Sequence, residues 1–562
     1  MRVACTTSRS QLPHRRSPRR YGKSAHRCLS RILEMLDSTR SLTSARPVPK
    51  ARSGPRNFDR CRNWTTALAT PSAERIACLV LGSVLTAFTV GNAMLAVAAW
   101  LAPTFMLRFV RTSRLAPGIY LGTFGLICAH AVAWDGVLPF QGAFYYAVVA
   151  GVGLTLFLPF IVDRLFCEHA SGLVRAFIFP AALTAVEYLF SQLGNGSWGA
   201  VAYSQYGNLA LNQIVSVTGL WGISFLTGWF ASVFNDLWEC RGSGAQARRR
   251  AAAFGAALAL VLVGGGLRLT LAPAQTPSVR IAGIVVDNMD VFRNSWGPLS
   301  YGQTLSEQAA DQVRPKADAL LKRLIAQSRA EARAGAKIVV WSEGNALAFK
   351  KDERELIAAG QRLAAEEKIY LFMSVATMQP GHPRAENKII VVDPQGRVRA
   401  TYLKSHPTPG EMSIPGDGVM GFLETPYGTL AWAICYDYDY PALIRQAAVA
   451  GADILIDPSW EGPAMAPLHS QMASFRAIEN GASLFRPANG GMSLAVDARG
   501  QVLAALSGSA AEGPHHTLVA SLPIEGTWTI YGHAGDTLPW MAAGFLLFAF
   551  ITVSRKASPT LI

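Results

Sequence analysis

From Ile76 onward the chain changes from scattered polar residues to long apolar runs. The first, "IACLVLGSVLTAFTVGNAMLAVAAWLAPTFMLRFV", is too long for one simple span and is broken by Gly91-Asn92. It reads as a tight hairpin of two spans, about 76–90 and 93–108, each shorter than the roughly 20 residues a bilayer crossing needs. Further apolar segments follow at about 116–134, 144–162, 172–190, 213–235 and 251–272, and a last one at about 537–553. Between residues 275 and 534 the period shortens. Runs of β-branched residues ("VRIAGIVVD", "AKIVVWSEG", "IYLFMSVAT", "NKIIVVD", "ADILIDPSW") alternate with helical stretches such as "DQVRPKADALLKRLIAQSRAEARAG". That alternation predicts one α/β domain, with "DPQGR" turning between two of its strands.

Charge orients the apolar segments. Arg108, Arg111 and Arg114 follow the second span, Asp163, Arg164 and Arg175 lie between the fourth and fifth, and Arg241 and Arg248 to Arg250 lie between the sixth and seventh. Arg555-Lys556 follows the last. All these clusters share one side if the N-terminus is cytosolic, as the positive-inside rule requires. Seven spans then put residues 275–534 on the extracytoplasmic side, and an eighth brings the chain back.

Composition agrees with a protein partly in a bilayer: 50% of residues are hydrophobic and 16% charged. The formal net charge of +15 would suit nucleic acid, but residues 1–75 hold 17 Lys and Arg against four Asp and Glu. The remaining chain is close to neutral, so no basic domain is left for nucleic acid. The Arg-, Ser- and Pro-rich head is expected to be disordered. Three readings compete for it: a solvated cytosolic tail, a transit peptide, or sequence upstream of the true start. The eight cysteines include no CxxC pair or other metal-like spacing, so no zinc site is expected. The α/β segment contains Cys435 alone, a free thiol.

Three polar groups sit where hydrophobic strands run out. Glu343 ends "KIVVWSEG", Lys404 follows "VRATYL", and Cys435 ends "TLAWAIC". Strand carboxyl ends are where α/β domains gather ligands and catalytic groups. A carboxylate there can take the thiol proton, the thiolate can attack a carbonyl, and an ammonium can stabilise the oxyanion.

In this order the three residues resemble the Glu, Lys, Cys set of the nitrilase (carbon–nitrogen hydrolase) superfamily, over about Val279 to Leu522. With spans on either side of the domain, the chain after residue 75 is similar to that superfamily's membrane branch, apolipoprotein N-acyltransferase. The resemblance implies a multi-span α-helical bundle (76–274), an extracytoplasmic nitrilase-like αββα sandwich (275–534), and a final transmembrane helix with a short cytosolic tail (535–562). It further implies a bacterial inner-membrane enzyme with no cofactor. Its acyl donor would be a phospholipid and its acceptor a diacylglyceryl-cysteine lipoprotein, joined through a Cys435 thioester. "PGE" matches a second glutamate, making Glu411 a helper of the base, and the Tyr436 N–H is expected beside Lys404 at the oxyanion. Trp-Ser-Glu stands where the family has Trp-Pro-Glu, and Cys-Tyr-Asp replaces Cys-Tyr-Glu. The second change is closer to soluble amidases, so a membrane-tethered amidase using water remains the alternative.

Other polar residues have structural readings. Glu187, inside the fifth span, is expected to pair with a neighbouring span. Trp198, Tyr203 and Tyr206 read as interfacial anchors, Arg476 and Glu479 as an i,i+3 pair, and Asn489 as a turn cap.

Overall fold

The computed structural model describes residues 72–562 except 243, 272–276, 301, 463, 508–514 and 558–562. The head expected to be disordered therefore lies outside the described residues up to position 71, as does the tail from 558. Its last residues are a correction: the first helix starts at Ser72, not after Arg75. Glu74 lies in its first turn, where a carboxylate suits the helix dipole, and meets Arg108 at 3.4 Å.

Helices span Ser72–Thr86, Ala98–Thr112, Leu115–Ala133, Gly142–Phe166, Gly172–Phe190, Trp221–Glu239 and Ala245–Thr270, and Thr537–Ala557 follows the α/β domain. The first long apolar stretch is thus two helices joined by a connection at 87–97, with a break at Gly91-Asn92. Each has 15 residues and is roughly 22 Å long at 1.5 Å per residue, short of the bilayer's hydrocarbon thickness. Among the described residues, four helices are long and apolar enough to cross a membrane. A fifth span results if Leu209–Thr218 is joined to Trp221–Glu239 across a 114° bend. Gly219 sits at that bend with φ +65°, and a Cβ there would lie 2.5 Å from the Tyr531 ring, so only glycine fits.

One end of the bundle is tied by buried ion pairs. Arg111 meets Asp163 at 2.8 Å, and Asp236 meets Arg175 at 3.1 Å and Arg250 at 2.8 Å. Each of these residues lies near a helix terminus. Their convergence means successive helices run antiparallel, with the Arg clusters together at one end. Glu187 sits within the bundle, accepting from Ser224 Oγ at 2.5 Å and from the Val201 N–H at 3.2 Å, the pairing between segments expected for it.

The α/β domain is a four-layer sandwich. One mixed sheet runs, edge to edge, His515–Pro523, Ser278–Val286, Ile338–Trp341, Tyr370–Met378, Glu386–Val392, Val398–Leu403, with Ala346–Phe349 also pairing with Tyr370–Met378. The other runs Val502–Ser507, Met492–Val496, Ser483–Arg486, Ile454–Ile456, Gly428–Trp432, Gly421–Thr425. Strand alternation sorts the two faces. Ile338 and Val340 pack against Leu430, Trp432 and Leu484 between the sheets. Val339 and Trp341 point the other way, against Leu320 and Leu324 of helix Glu307–Arg333 and Leu363 of helix Glu353–Glu367. Central strands covered on both faces read as unbroken apolar runs, which is why "KIVVW" and "LAWAI" end so abruptly at polar residues.

Candidate active site

Those abrupt ends place the three candidate groups. Glu343 lies two residues beyond Ile338–Trp341, Lys404 directly after Val398–Leu403, and Cys435 three residues beyond Gly428–Trp432. All three are buried. Lys404 Nζ donates to Glu343 Oε1 and to Glu411 Oε2, each at 2.7 Å. Asn387 Nδ2 donates to the same two carboxylates at 2.8 and 2.9 Å. Burial alone would pull the Lys404 ammonium down, but Glu343 and Glu411 outweigh it and hold its pKa well above the usual lysine value. Against its own burial, Glu411 is lowered to about 2 by Lys404 and by hydrogen bonds from Asn387 and the Thr408 N–H. It is a fixed anion that orients the lysine.

Cys435 opens a 3-10 turn, Cys435–Asp439, with φ +48°. A non-glycine residue there is strained, and such strain collects where a side chain must be presented to a ligand. The turn is over-determined. Asp457 Oδ1 accepts the Cys435 N–H at 2.9 Å. The buried Asp437 carboxylate accepts from the Ile434 N–H, Tyr402 OH and His406 N–H at 3.1, 2.8 and 2.7 Å, tying the cysteine turn to the chain after Lys404. Trp460 bridges the thiol and Glu343: its N–H donates to Glu343 Oε2 at 2.8 Å, and its carbonyl lies 3.7 Å from Cys435 Sγ. Burial pushes the thiol pKa up and Glu343 adds to the rise, while Lys404 and His469 pull it down. Tyr436 follows on the same turn, buried.

His469 was not singled out from the sequence. It is buried in helix Leu468–Asn480, with Nδ1 2.8 Å from Glu461 Oε1 and Nε2 3.1 Å from Asp439 Oδ2. One donor atom each from Cys435, Glu461 and His469 lies within 4.8 Å of the others, a spacing a metal ion would accept. Yet both ring nitrogens already face carboxylates, and Arg486 pairs with Glu461 and Asp457, so cations of the chain itself meet this charge. The helix shows no amphipathic stripe that would have flagged the histidine, because almost every residue in it is buried.

The anchor reading of Trp198 and Tyr203 is corrected. Trp198 Nε1 donates to Asp439 Oδ2 at 2.6 Å, and Tyr203 is buried with its OH 3.2 Å from Arg476 Nη2. Arg476 and Glu479 do pair, at 3.0 Å, but fully buried. Glu479 also accepts the Leu220 N–H at 3.0 Å, so the pair docks the α/β domain on the helical region. Asn489 Nδ2 donates to Asn288 Oδ1 at 2.8 Å. Ser197 N–H meets the Asp439 carbonyl at 2.7 Å. That approach needs Gly196, where a Cβ would lie 2.5 Å from the same carbonyl oxygen. A cavity of about 500 Å³ opens at this seam, lined by Gln192, Trp221, His406, Tyr440 and Asp536 among others. It reaches Ser405, next to Lys404, but none of Glu343, Lys404 and Cys435 lines it.

Residues 307–527 match the carbon-nitrogen hydrolase family, and residues 82–233 match the apolipoprotein N-acyltransferase N-terminal domain. The chain is 29% identical over 483 residues to an apolipoprotein N-acyltransferase of Rhodopseudomonas palustris, covering 79% of this chain and 84% of that protein. A relative of the same name from Geobacter metallireducens is 25% identical, with 69% and 76% covered. Among solved structures, an amidase from Nesterenkonia sp. is similar at 19% identity, covering 45% of this chain and 92% of its own, with a TM-score of 0.34.

Proposed function

Because the chain belongs to the apolipoprotein N-acyltransferase family, a membrane branch of the carbon–nitrogen hydrolases, we propose that it moves a fatty acyl chain from a phospholipid, through a thioester on Cys435, to the free N-terminal amine of a diacylglyceryl-cysteine lipoprotein. The observation that carries this reading is the convergence on one thiol of a carboxylate and an ammonium, both buried and joined at 2.7 Å.

In the first half-reaction Glu343 takes the thiol proton and the thiolate attacks the ester carbonyl carbon. The oxyanion that forms is stabilised by the Lys404 ammonium and the Tyr436 N–H. The carbon–oxygen bond then breaks, and the departing lysophospholipid alkoxide takes the proton from Glu343. In the second, the lipoprotein amine attacks the thioester and gives a proton to Glu343. The carbon–sulfur bond breaks, leaving an amide and a thiolate that regains the proton. Glu411 keeps Lys404 aimed, and Asp437 and Asp457 keep the cysteine turn in place.

Both substrates keep their tails in a bilayer, which accounts for a catalytic domain seated on apolar helices. Collection of the Arg clusters at one end of the bundle supports a cytosolic face there, by the positive-inside rule, and hence a catalytic domain on the extracytoplasmic side of the inner membrane. The test is the full chain in phosphatidylethanolamine vesicles with a synthetic diacylglyceryl-cysteine peptide. One acyl chain gained on the peptide amine, with equimolar lysophospholipid, is expected. Release of free fatty acid without peptide acylation would assign water as the acceptor and overturn the transferase reading.

A further inference from the structure

We propose that His469 is a second cation serving the Cys435 thiol, beside Lys404, and that Trp198 of the helical region holds it in place through Asp439. The proposal rests on the reading of Cys435 as nucleophile. Asp439, Asp457 and Glu461 are three acids buried in one cluster. Arg486 is bonded to Asp457 and Glu461. Asp439 has His469 as its ion-pair partner, at 3.1 Å. The imidazole is held between two carboxylates, Asp439 at 3.1 Å and Glu461 at 2.8 Å, which favour its charged form. Asp439 and Glu461 accordingly keep its pKa well above the usual histidine value, against burial and the nearby Arg486.

The imidazole lies close to the sulfur, with its ring nitrogens turned to Asp439 and Glu461. His469, Glu461 and Cys435 present donor atoms within 4.8 Å of one another, and the imidazole favours the thiolate as Lys404 does, opposing burial and Glu343. Trp198 closes the arrangement from outside the α/β domain. Its N–H donates to the Asp439 oxygen that faces His469 Nε2, and its ring is tilted against the imidazole with centroids 6.0 Å apart. The Ser197 N–H and Oγ both donate to the Asp439 carbonyl, at 2.7 and 2.8 Å. The segment after helix Gly172–Phe190 therefore grips the last residue of the cysteine turn. Seating of the catalytic domain on the helical region and the nucleophilicity of its thiol are one structural event.

The experiment is the pH dependence of Cys435 alkylation by iodoacetamide, in the solubilised full chain with every other cysteine replaced. The groups facing the thiol and the imidazole are Glu343, Lys404, Asp439, Asp457, Glu461 and Arg486, and all are kept. Loss of a cation disfavours the thiolate, so His469→Gln should move the alkylation midpoint upward by about one pH unit, an approximately tenfold slower reaction at neutral pH. Trp198→Phe keeps a ring but loses the N–H, and should shift the midpoint in the same direction by less. Should His469→Gln fail to insert, Trp198→Phe carries the same test. An unchanged midpoint in the variants that fold overturns the proposal. The readout involves no acyl transfer, so it stands apart from success or failure of the proposed reaction.

Discussion

Lys404 donates to Glu343 at 2.7 Å inside a site that excludes bulk water. Removing the ammonium would leave Glu343 and Glu411 sharing the Asn387 amide with no cation between them. Lys404→Met should therefore abolish acyl transfer, by about a hundredfold or more as for loss of an oxyanion donor, and lower the unfolding temperature as well. Lys404→Arg should not rescue, because a planar guanidinium cannot replace a compact ammonium between two carboxylates. Initial rates with a diacylglyceryl peptide, beside thermal unfolding of the same preparations, check both effects.

The two acids divide their work by position. Both accept from Lys404 and Asn387, but Glu343 also accepts the Trp460 N–H beside the thiol, while Glu411 also accepts from Thr408 and Ser413. Glu343→Gln should lose both half-reactions, since a base serves the thiol and then the amine. Glu411→Gln should retain measurable activity. Equal, near-complete losses would show that Glu411 does more than orient the lysine.

Glu411 also sets an acid limit. Its folded pKa of about 2 lies below the ordinary value of 4.5. Its contribution to stability is thus complete above pH 4.5 and is lost as pH falls toward 2. Unfolding temperature measured across that window should decline less steeply in Glu411→Gln than in the parent. A parallel decline would mean that the carboxylate is not held as an anion by Lys404.

Topology decides which substrates the site meets. His169 lies at the Arg-rich end of the bundle, and Lys351 on an exposed turn of the α/β domain. In a cysteine-free background, a cysteine at Lys351 should react with a membrane-impermeant maleimide in cells with a permeabilised outer membrane. One at His169 should react only after lysis. The reverse pattern would place the domain in the cytosol, away from translocated lipoproteins.

Much of this was legible in the sequence, for a physical reason. Strands buried on both faces must be apolar throughout, so "VVWSEG" and "WAICYD" announce where each strand stops and which polar group it presents, whereas Val398–Leu403 is a largely exposed edge strand and Lys404 was legible from its motif alone. That the stretch at 76–108 holds two helices was legible because Gly91-Asn92 breaks an apolar run that a single helix would have continued, but the tight turn expected there is a longer connection, 87–97. What stayed hidden depends on contacts between distant segments. In the sequence Asp437 stands only as a departure from the family's Cys-Tyr-Glu, yet its carboxylate gathers donors from positions 402 to 406. Trp198 sits 241 residues from Asp439, and a tryptophan beside apolar spans ordinarily anchors in the interface. His469 shares a helix with Arg476 and Glu479, all buried. A helix this polar normally shows a solvated face, and nothing in its own sequence says that it has none.

An acyl chain carried on Cys435 can be caught directly. Full-length protein is incubated with phospholipid bearing an isotope-labelled fatty acyl chain and no acceptor, then digested, and the peptide containing Cys435 is weighed by mass spectrometry. The account predicts a hydroxylamine-labile adduct of one labelled acyl chain on that peptide, absent in Cys435→Ala and discharged when the diacylglyceryl peptide is added. An unmodified Cys435 peptide in a preparation that still acylates the acceptor would contradict it.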